Sequence, residues 1–301
     1  MDRVTNKRGL KLSSLVHPIT GRVCLYPPSF EQSDFNSALQ YKAESTDVFV
    51  CSFPKSGTTW LQNIVWLITR FGEPIPGKVR NSMPMLEFDG AEQTEQFDNA
   101  KFPRIVKTHF PVEFVPQNTA TRYLYIARNP KDVVVSYYFH TKGFEESYGL
   151  PSDFTVHDLV QSFLEGHIEF NDYFKHVSDW FNKRDEENVL FLLYENLIKD
   201  ARNSILKIAR FIGQKYEKAL LESNGQLLDK ILEKSSFKVM KNQDKWFVTK
   251  RRGDIPFIRK GGIGDWKNHV SSDDAVLIDQ VLLEKGREIF HLWDDYPEIK
   301  C

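Results

Sequence analysis

Lys55, Ser56, Gly57, Thr58, Thr59 and Trp60 stand in the middle of VFVCSFPKSGTTWLQNIVWLI (Val48 to Ile68), after a short apolar run and before apolar residues at helical spacing. A lysine, a glycine and three hydroxyls at the mouth of a helix bring several requirements of an anion site together. Free backbone N–H groups converge there, the helix dipole is positive, and the lysine adds a mobile charge; phosphate is the usual guest. Without the lysine the same letters would describe an ordinary N-cap, with Ser56 or Thr58 closing the first turn. The loop is not a complete Walker A. GxxxxGK[ST] needs a glycine where Ser52 stands, and the lysine here precedes Gly57 instead of following it.

A second basic region runs from Lys245 to Lys267, with seven Lys or Arg against two Asp. Within it Arg259-Lys260-Gly261-Gly262 joins charge to glycines that let backbone N–H groups approach an oxyanion. Arg128 ends another apolar run, with Ser136 about two helical turns beyond it. A solvated basic loop and an Arg128–Asp132 ion pair are the plainer readings of these residues. Two anion sites far apart in sequence fit a ligand with two separated anionic groups. RIVKTH adds Lys107 and His109 on one side of a strand end, where a histidine can act as a base. There is no HExxH, no cysteine pair and no EF-hand acid pattern.

The elements needed to bring these groups together are those of an α/β protein. Val48–Phe53, Arg104–His109, Thr121–Arg128 and Asn188–Tyr194 read as short buried strands. Lys55, Lys107, His109, Arg128 and Tyr194 stand at or just past strand ends, where a parallel sheet opens its ligand crevice. Helices are expected from Thr59 to the Phe71-Gly72 stop, from Pro130, and as one long amphipathic helix from Thr155 to Phe181. Further helices are expected over Ala201–Ile212 and Lys215–Glu233, and from the Ser271 cap to about Leu292. Residues 1–43 read as an irregular cover with a short strand or turn, then a brief helix at Ser33–Tyr41. Gly72–Phe102 reads as a long loop, either anchored on the core or forming a pocket wall around Met85 and Phe88. Gly143–Ser152 reads as a loop over a pocket. The whole chain, 1–301, is expected to be one domain with a central, mainly parallel sheet flanked by helices.

With 41% apolar and 13% aromatic residues, the chain can bury a sizeable core. A net charge of −1 gives no general attraction to nucleic acid or to an acidic membrane surface. No run of about 18 apolar residues occurs. MDRVTNKRGLKLSS lacks the apolar segment of a secretory signal. Cys24, Cys51 and Cys301 form no disulfide framework. A cytoplasmic protein with reduced thiols is the expectation.

FPKSGTTW, KTH, RNPKDVVVSYY, SSFKVMK and RKGGIGDWKN occur in the order found in cytosolic sulfotransferases, and the chain resembles that family from Val48 to Asn268. The resemblance implies a P-loop-kinase-like strand–loop–helix and the donor 3′-phosphoadenosine 5′-phosphosulfate. It also implies a small hydroxyl or amine acceptor, and neither metal, nucleic acid nor membrane as partner. By match, Lys55 to Trp60 would hold the 5′-phosphosulfate. Arg128, Ser136 and Arg259 to Gly261, beside Phe257 and Ile258, would hold the 3′-phosphate. Tyr194, Trp60, Ser235, Ser236, Phe237 and Met240 would grip the adenine. His109 would be the general base, Lys55 and Lys107 would stabilise the transition state, and Ser136 would restrain Lys55. Met85, Phe88, Lys107, Thr108, His109, Phe139 and His140 would face the acceptor. Phe53 replaces the usual tyrosine, Met85 a frequent phenylalanine, and Phe139-His140 reverses a common order, so acceptor preference does not carry over. Of the dimer motif KxxxTVxxxE only Lys267 matches, which speaks against a homodimer through it. A phosphotransferase using Mg-ATP and a non-catalytic nucleotide sensor are the rival readings.

Overall fold

The computed structural model describes residues 2–97, 101–247 and 255–300. The chain opens not as an irregular cover but as an antiparallel meander: β1 (Asp2–Thr5), β2 (Lys11–Val16) and β3 (Val23–Tyr26). Leu12, Leu15, Cys24 and Tyr26 point inward from it, and α1 (Gln32–Ala38) follows. The alternation was too short to read as strands without the partner strands.

The central unit is β4 (Asp47–Cys51), a tight loop, and α2 (Thr58–Thr69). Phe71 and Gly72 both take positive φ, and the Gly72 N–H closes on the Leu67 carbonyl at 2.7 Å, which ends the helix as expected. The segment expected as a long loop holds a 3₁₀ turn (Val79–Asn81) and α3 (Leu86–Glu95), bent at Gly90. Its polar, glycine-interrupted sequence conceals the helix. β5 (Arg104–Thr108), β6 (Arg122–Ala127) and α4 (Pro130–Gly143) come next, then a short α5 (Glu145–Tyr148) inside the expected 143–152 loop.

The single helix expected over Thr155–Phe181 is two helices, α6 (Val156–Leu164) and α7 (Tyr173–Phe181). Gly166, Phe170 and Asn171 all have positive φ, which no helix accommodates. β7 (Val189–Leu193) leads into α8 (Tyr194–Lys199) and α9 (Ala201–Ile212). The next helix is likewise divided, into α10 (Gln214–Leu221) and α11 (Gln226–Lys234), by left-handed Asn224 and Gly225. α12 (Phe237–Asn242), α13 (Asp244–Phe247) and α14 (Ser272–Lys285) complete the set. Beyond Gly286 the chain tightens into a 3₁₀ helix, Arg287–Trp293, so the closing α-helix stops short of Leu292.

The second sheet is parallel, in the order β5-β4-β6-β7. Residues alternate between its faces. Phe49, Cys51, Val106, Tyr123 and Tyr125 belong to the cluster that includes α4, α6 and α7, while Val48, Val50, Ile105, Leu124 and Ile126 belong to that of α2, α9 and α11. Cys51 pairs with both Thr108 and Tyr125, and Ala127 with Leu193, so β5 and β4 end together while β6 and β7 run two residues beyond them. β4 sits where successive crossovers turn to opposite sides, the switch point at which such sheets bind ligands. Cys24 and Cys51 are buried thiols, and Cys301 lies outside the described residues. Among the described residues no helix is long and apolar enough to cross a membrane.

Candidate active site

The loop after β4 takes its shape from two left-handed residues, Lys55 (φ 69°) and Gly57 (φ 106°). Gly57 is the N-cap of α2, and a Cβ there would lie 2.6 Å from the Tyr194 ring. Only glycine permits both that φ and that approach. Ser52 and Thr58 join their hydroxyls at 2.6 Å across the loop, whereas Ser56 Oγ is buried without a hydrogen-bond partner. Trp60 donates its indole N–H to the Ser235 carbonyl at 2.8 Å and meets Tyr194 edge-on.

Arg128, one residue past β6, lies over the Tyr194 ring at 4.4 Å and donates to the Gly262 carbonyl at 3.0 Å. Its Nε is buried and unpartnered, and its ion pair with Asp132 is long, at 4.0 Å. Asp132 accepts the N–H groups of Gly264 (2.8 Å) and Trp266 (3.0 Å), and so fastens the glycine-rich segment to α4. On that segment Arg259 and Lys260 both pair with Asp265. Their cationic hydrogen bonds hold its carboxyl well below the usual range, despite burial that pushes the other way. Gly261 (φ 66°) passes so near Phe237 that a Cβ would overlap the ring. Of the basic run Lys245–Lys267, residues 248–254 lie outside the described residues.

Lys55, Gly57, Thr58, Trp60, Tyr194, Arg128, Arg259, Lys260 and Gly261 border one cavity of about 610 Å³, which Lys107, His109, Met85 and Phe88 also line. His109 is buried. Its Nδ1 lies 2.8 Å from the Ser52 carbonyl, an acceptor only, so Nδ1 carries the proton and Nε2 is left as the basic nitrogen. Glu87 accepts the His109 N–H at 2.6 Å, and His176 Nε2 donates to the His109 carbonyl at 3.0 Å. Burial first, and then the Lys107 charge, hold the His109 pKa well below its ordinary 6.5, so the imidazole is neutral at pH 7. Burial also lowers Lys107 and raises Glu87 to about 7.

Of the residues the sequence singled out, Lys55, Gly57, Thr58, Thr59, Trp60, Arg128, Ser136, Tyr194, Phe237 and Met240 all border this cavity. So do Phe257, Ile258, Arg259, Lys260, Gly261, Met85, Phe88, Lys107, His109 and His140. Lys55 Nζ lies 4.4 Å from the Phe257 ring and 3.4 Å from His140 Nδ1. Ser235 contributes its carbonyl to Trp60, and Ser236 caps α12. Thr108 turns away, its hydroxyl accepting the Phe110 N–H at 3.0 Å. Phe139 also turns away, packing under Arg259 and against His269. Glu87, Tyr148, Glu169, Phe170 and His176 were not anticipated. An acid inside the apolar PMLEF run was the one available signal, for Glu87.

The family model described as the sulfotransferase domain matches residues 45–290. Sulfotransferase 1E1 of Bos taurus is 33% identical over 264 residues, covering 83% of this chain and 85% of its own length. Sulfotransferase 1E1 of Homo sapiens is 34% identical over 247 residues, covering 76% and 80%. The crystal structure of mouse sulfotransferase SULT7A1 complexed with PAP superposes with a TM-score of 0.74 at 27% identity, covering 93% of this chain and 98% of that one. A retinol dehydratase structure, at 23% identity and a TM-score of 0.76, shares the fold.

Proposed function

The chain belongs to the sulfotransferase domain family, and from that premise we propose that it moves a sulfonate group from 3′-phosphoadenosine 5′-phosphosulfate to a hydroxyl or amine of a small acceptor, with His109 as the base. One observation carries the reading. Arg128 Nε, buried and unpartnered, belongs to a residue that lines, with Lys55, Thr58, Thr59, Arg259 and Lys260, a single cavity also bordered by a neutral histidine. A buried orphan N–H requires a partner, and a phosphate group of the donor fits that need.

The donor supplies an activated sulfonate whose sulfur–oxygen bond to the 5′-phosphate breaks as the acceptor oxygen or nitrogen attacks sulfur. His109 Nε2 takes the acceptor proton, and Nδ1–H stays on the Ser52 carbonyl, which stabilises the imidazolium that forms. Lys107 and Lys55 answer the charge growing on the sulfonyl and leaving oxygens. Arg128, Ser136, Arg259, Lys260 and Gly261 hold the 3′-phosphate. For Arg259 and Lys260 that means exchanging part of their attachment to Asp265 for the ligand. Trp60, Tyr194, Phe237 and Met240 enclose the adenine. The family resemblance further carries a cytoplasmic location and no metal requirement.

Thermal shift with 3′-phosphoadenosine 5′-phosphate against Mg-ATP tests the nucleotide half. At about 100 times Kd the ligand adds about 2.7 kcal/mol to folding stability. A melting temperature raised by Mg-ATP and not by the bisphosphate would reverse the assignment to a phosphotransferase. Labelled donor with a panel of phenols, alcohols and amines tests the transfer half.

A further inference from the structure

Ser52 enters the reaction just described only through its carbonyl. Its hydroxyl has two neighbours of its own, Thr58 Oγ1 at 2.6 Å and His109 Nδ1 at 3.3 Å. All three residues are buried, and Thr58 and His109 border the cavity. Ser52 stands where a full Walker A loop has glycine, and glycine would supply no hydroxyl to join the other two.

A count of protons gives this link a direction. The Ser52 carbonyl can only accept, so His109 Nδ1–H points toward Ser52. Toward Nδ1 the Ser52 hydroxyl is therefore an acceptor as well, the longer arm of a three-centre bond. Its own proton is left for Thr58. Between the two hydroxyls either oxygen can donate. An oxyanion on Thr58 removes that choice: Thr58 donates to the anion, and Ser52 must then donate to Thr58.

We propose that Ser52 couples the base to the donor. With the phosphosulfate on Thr58, hydrogen bonds run one way, from His109 Nδ1–H through Ser52 Oγ–H and Thr58 Oγ1–H to an anionic oxygen of the donor. This rests on the reading of Lys55 to Trp60 as the phosphosulfate loop. No proton leaves its atom along the chain. As His109 Nε2 takes the acceptor proton, positive charge grows on the imidazole and negative charge on the leaving phosphate oxygen. The chain lies between them, and hydrogen bonds in a buried chain polarise one another, so each charge stabilises the other. His109 becomes a stronger base when the donor is in place, and Ser52 is a positioning residue for it. The other charged or titratable groups around His109 are Lys107 on β5, Lys55 on the loop, Glu87 on α3 and His176 on α7, with Glu169 next to Phe170, whose ring packs on the imidazole. Among the described residues, however, the hydrogen-bond partners of Nδ1 both belong to Ser52.

The test follows the His109 Nδ1–H proton by NMR, identified by its loss in His109→Ala, with and without 3′-phosphoadenosine 5′-phosphate. The native protein is compared with Ser52→Ala and with Ser52→Thr, which keeps the hydroxyl. Saturating bisphosphate should move the native signal downfield, move it less than about half as far in Ser52→Ala, and restore the shift in Ser52→Thr. With labelled donor, kcat should fall about tenfold in Ser52→Ala, while acceptor KM and bisphosphate Kd stay within about threefold of native. A hydroxyl pair that only closes the loop would lower the melting temperature of Ser52→Ala and leave the ligand-induced shift intact. That result overturns the proposal, as does an undiminished kcat. A native signal that stays put while bisphosphate is bound overturns it too, and this arm does not depend on a variant folding. Bisphosphate that fails to bind at all removes the donor reading and the coupling with it. A Ser52-dependent shift without transfer to any acceptor leaves the coupling standing and refutes the catalytic reading alone.

Discussion

His109 is held on three sides: its N–H by Glu87, its carbonyl by His176, and its Nδ1 by Ser52. Only Nε2 remains for chemistry, so His109→Ala should reduce kcat on the order of 10²- to 10⁴-fold. The affinity for 3′-phosphoadenosine 5′-phosphate should stay near native by calorimetry, and wild-type turnover would sink the base assignment. Because the imidazole pKa is lowered below 6.5, the base stays unprotonated through neutrality. The acid limb of kcat/KM should therefore fall only below pH 6.5, and a limb at or above that value would contradict it. Glu87 titrates the other way. The unfolded chain ionises it near 4.5, while burial keeps it protonated to about 7 in the fold. Stability should decline as pH rises between those values, by on the order of 3 kcal/mol from this group. Glu87→Gln keeps a carbonyl for the His109 N–H and cannot ionise, so its melting profile should be flatter across that window; a profile parallel to native would refute the assignment. Lys107 and His109 were legible because both stand at the end of one apolar strand. Glu169 was not, because its position inside an apolar, aromatic stretch read as the core of one continuous helix.

The loop between β4 and α2 depends on Gly57 more than on any hydroxyl. A methyl group there meets the Tyr194 ring at 2.6 Å and must adopt φ 106°. Gly57→Ala should push the adenine-side ring aside, lower nucleotide affinity by at least about tenfold, and cost about 1–2 kcal/mol of stability for the backbone alone. Unchanged affinity by titration would show that Tyr194 is not part of the grip. The four parallel strands and α2, α4 and α9 were readable from apolar runs, caps and helical spacing. The divided helices were not. Phe170, Asn171 and Asn224 carry no letter that demands a left-handed turn, and the hydrogen bonds to Leu25 that fix the first of these turns come from more than 140 residues away. Of the opening meander only one short strand or turn was legible, for the same reason, since each short strand gains its meaning only from its neighbour.

The fold joins distant parts of the chain around the carboxyl edge of one sheet, with a separate apolar core on each face. The first proposed phosphate loop lies at 55–60 and the second at 259–262, with Asp132 holding the latter in place through Gly264 and Trp266. Asp132→Ala should leave the sheet folded while weakening the bisphosphate on the order of tenfold, since the buried Trp266 N–H and the part-buried Gly264 N–H lose their acceptor. Equal affinity would show that the segment is held by other contacts. That fastening also fixes when the protein first becomes competent. A polypeptide leaving the ribosome can pack β4, α2 and β5 long before Arg259 has been polymerised, so for most of its synthesis it carries half a cradle. Ligand cannot guide those early stages and stabilises only the nearly finished chain.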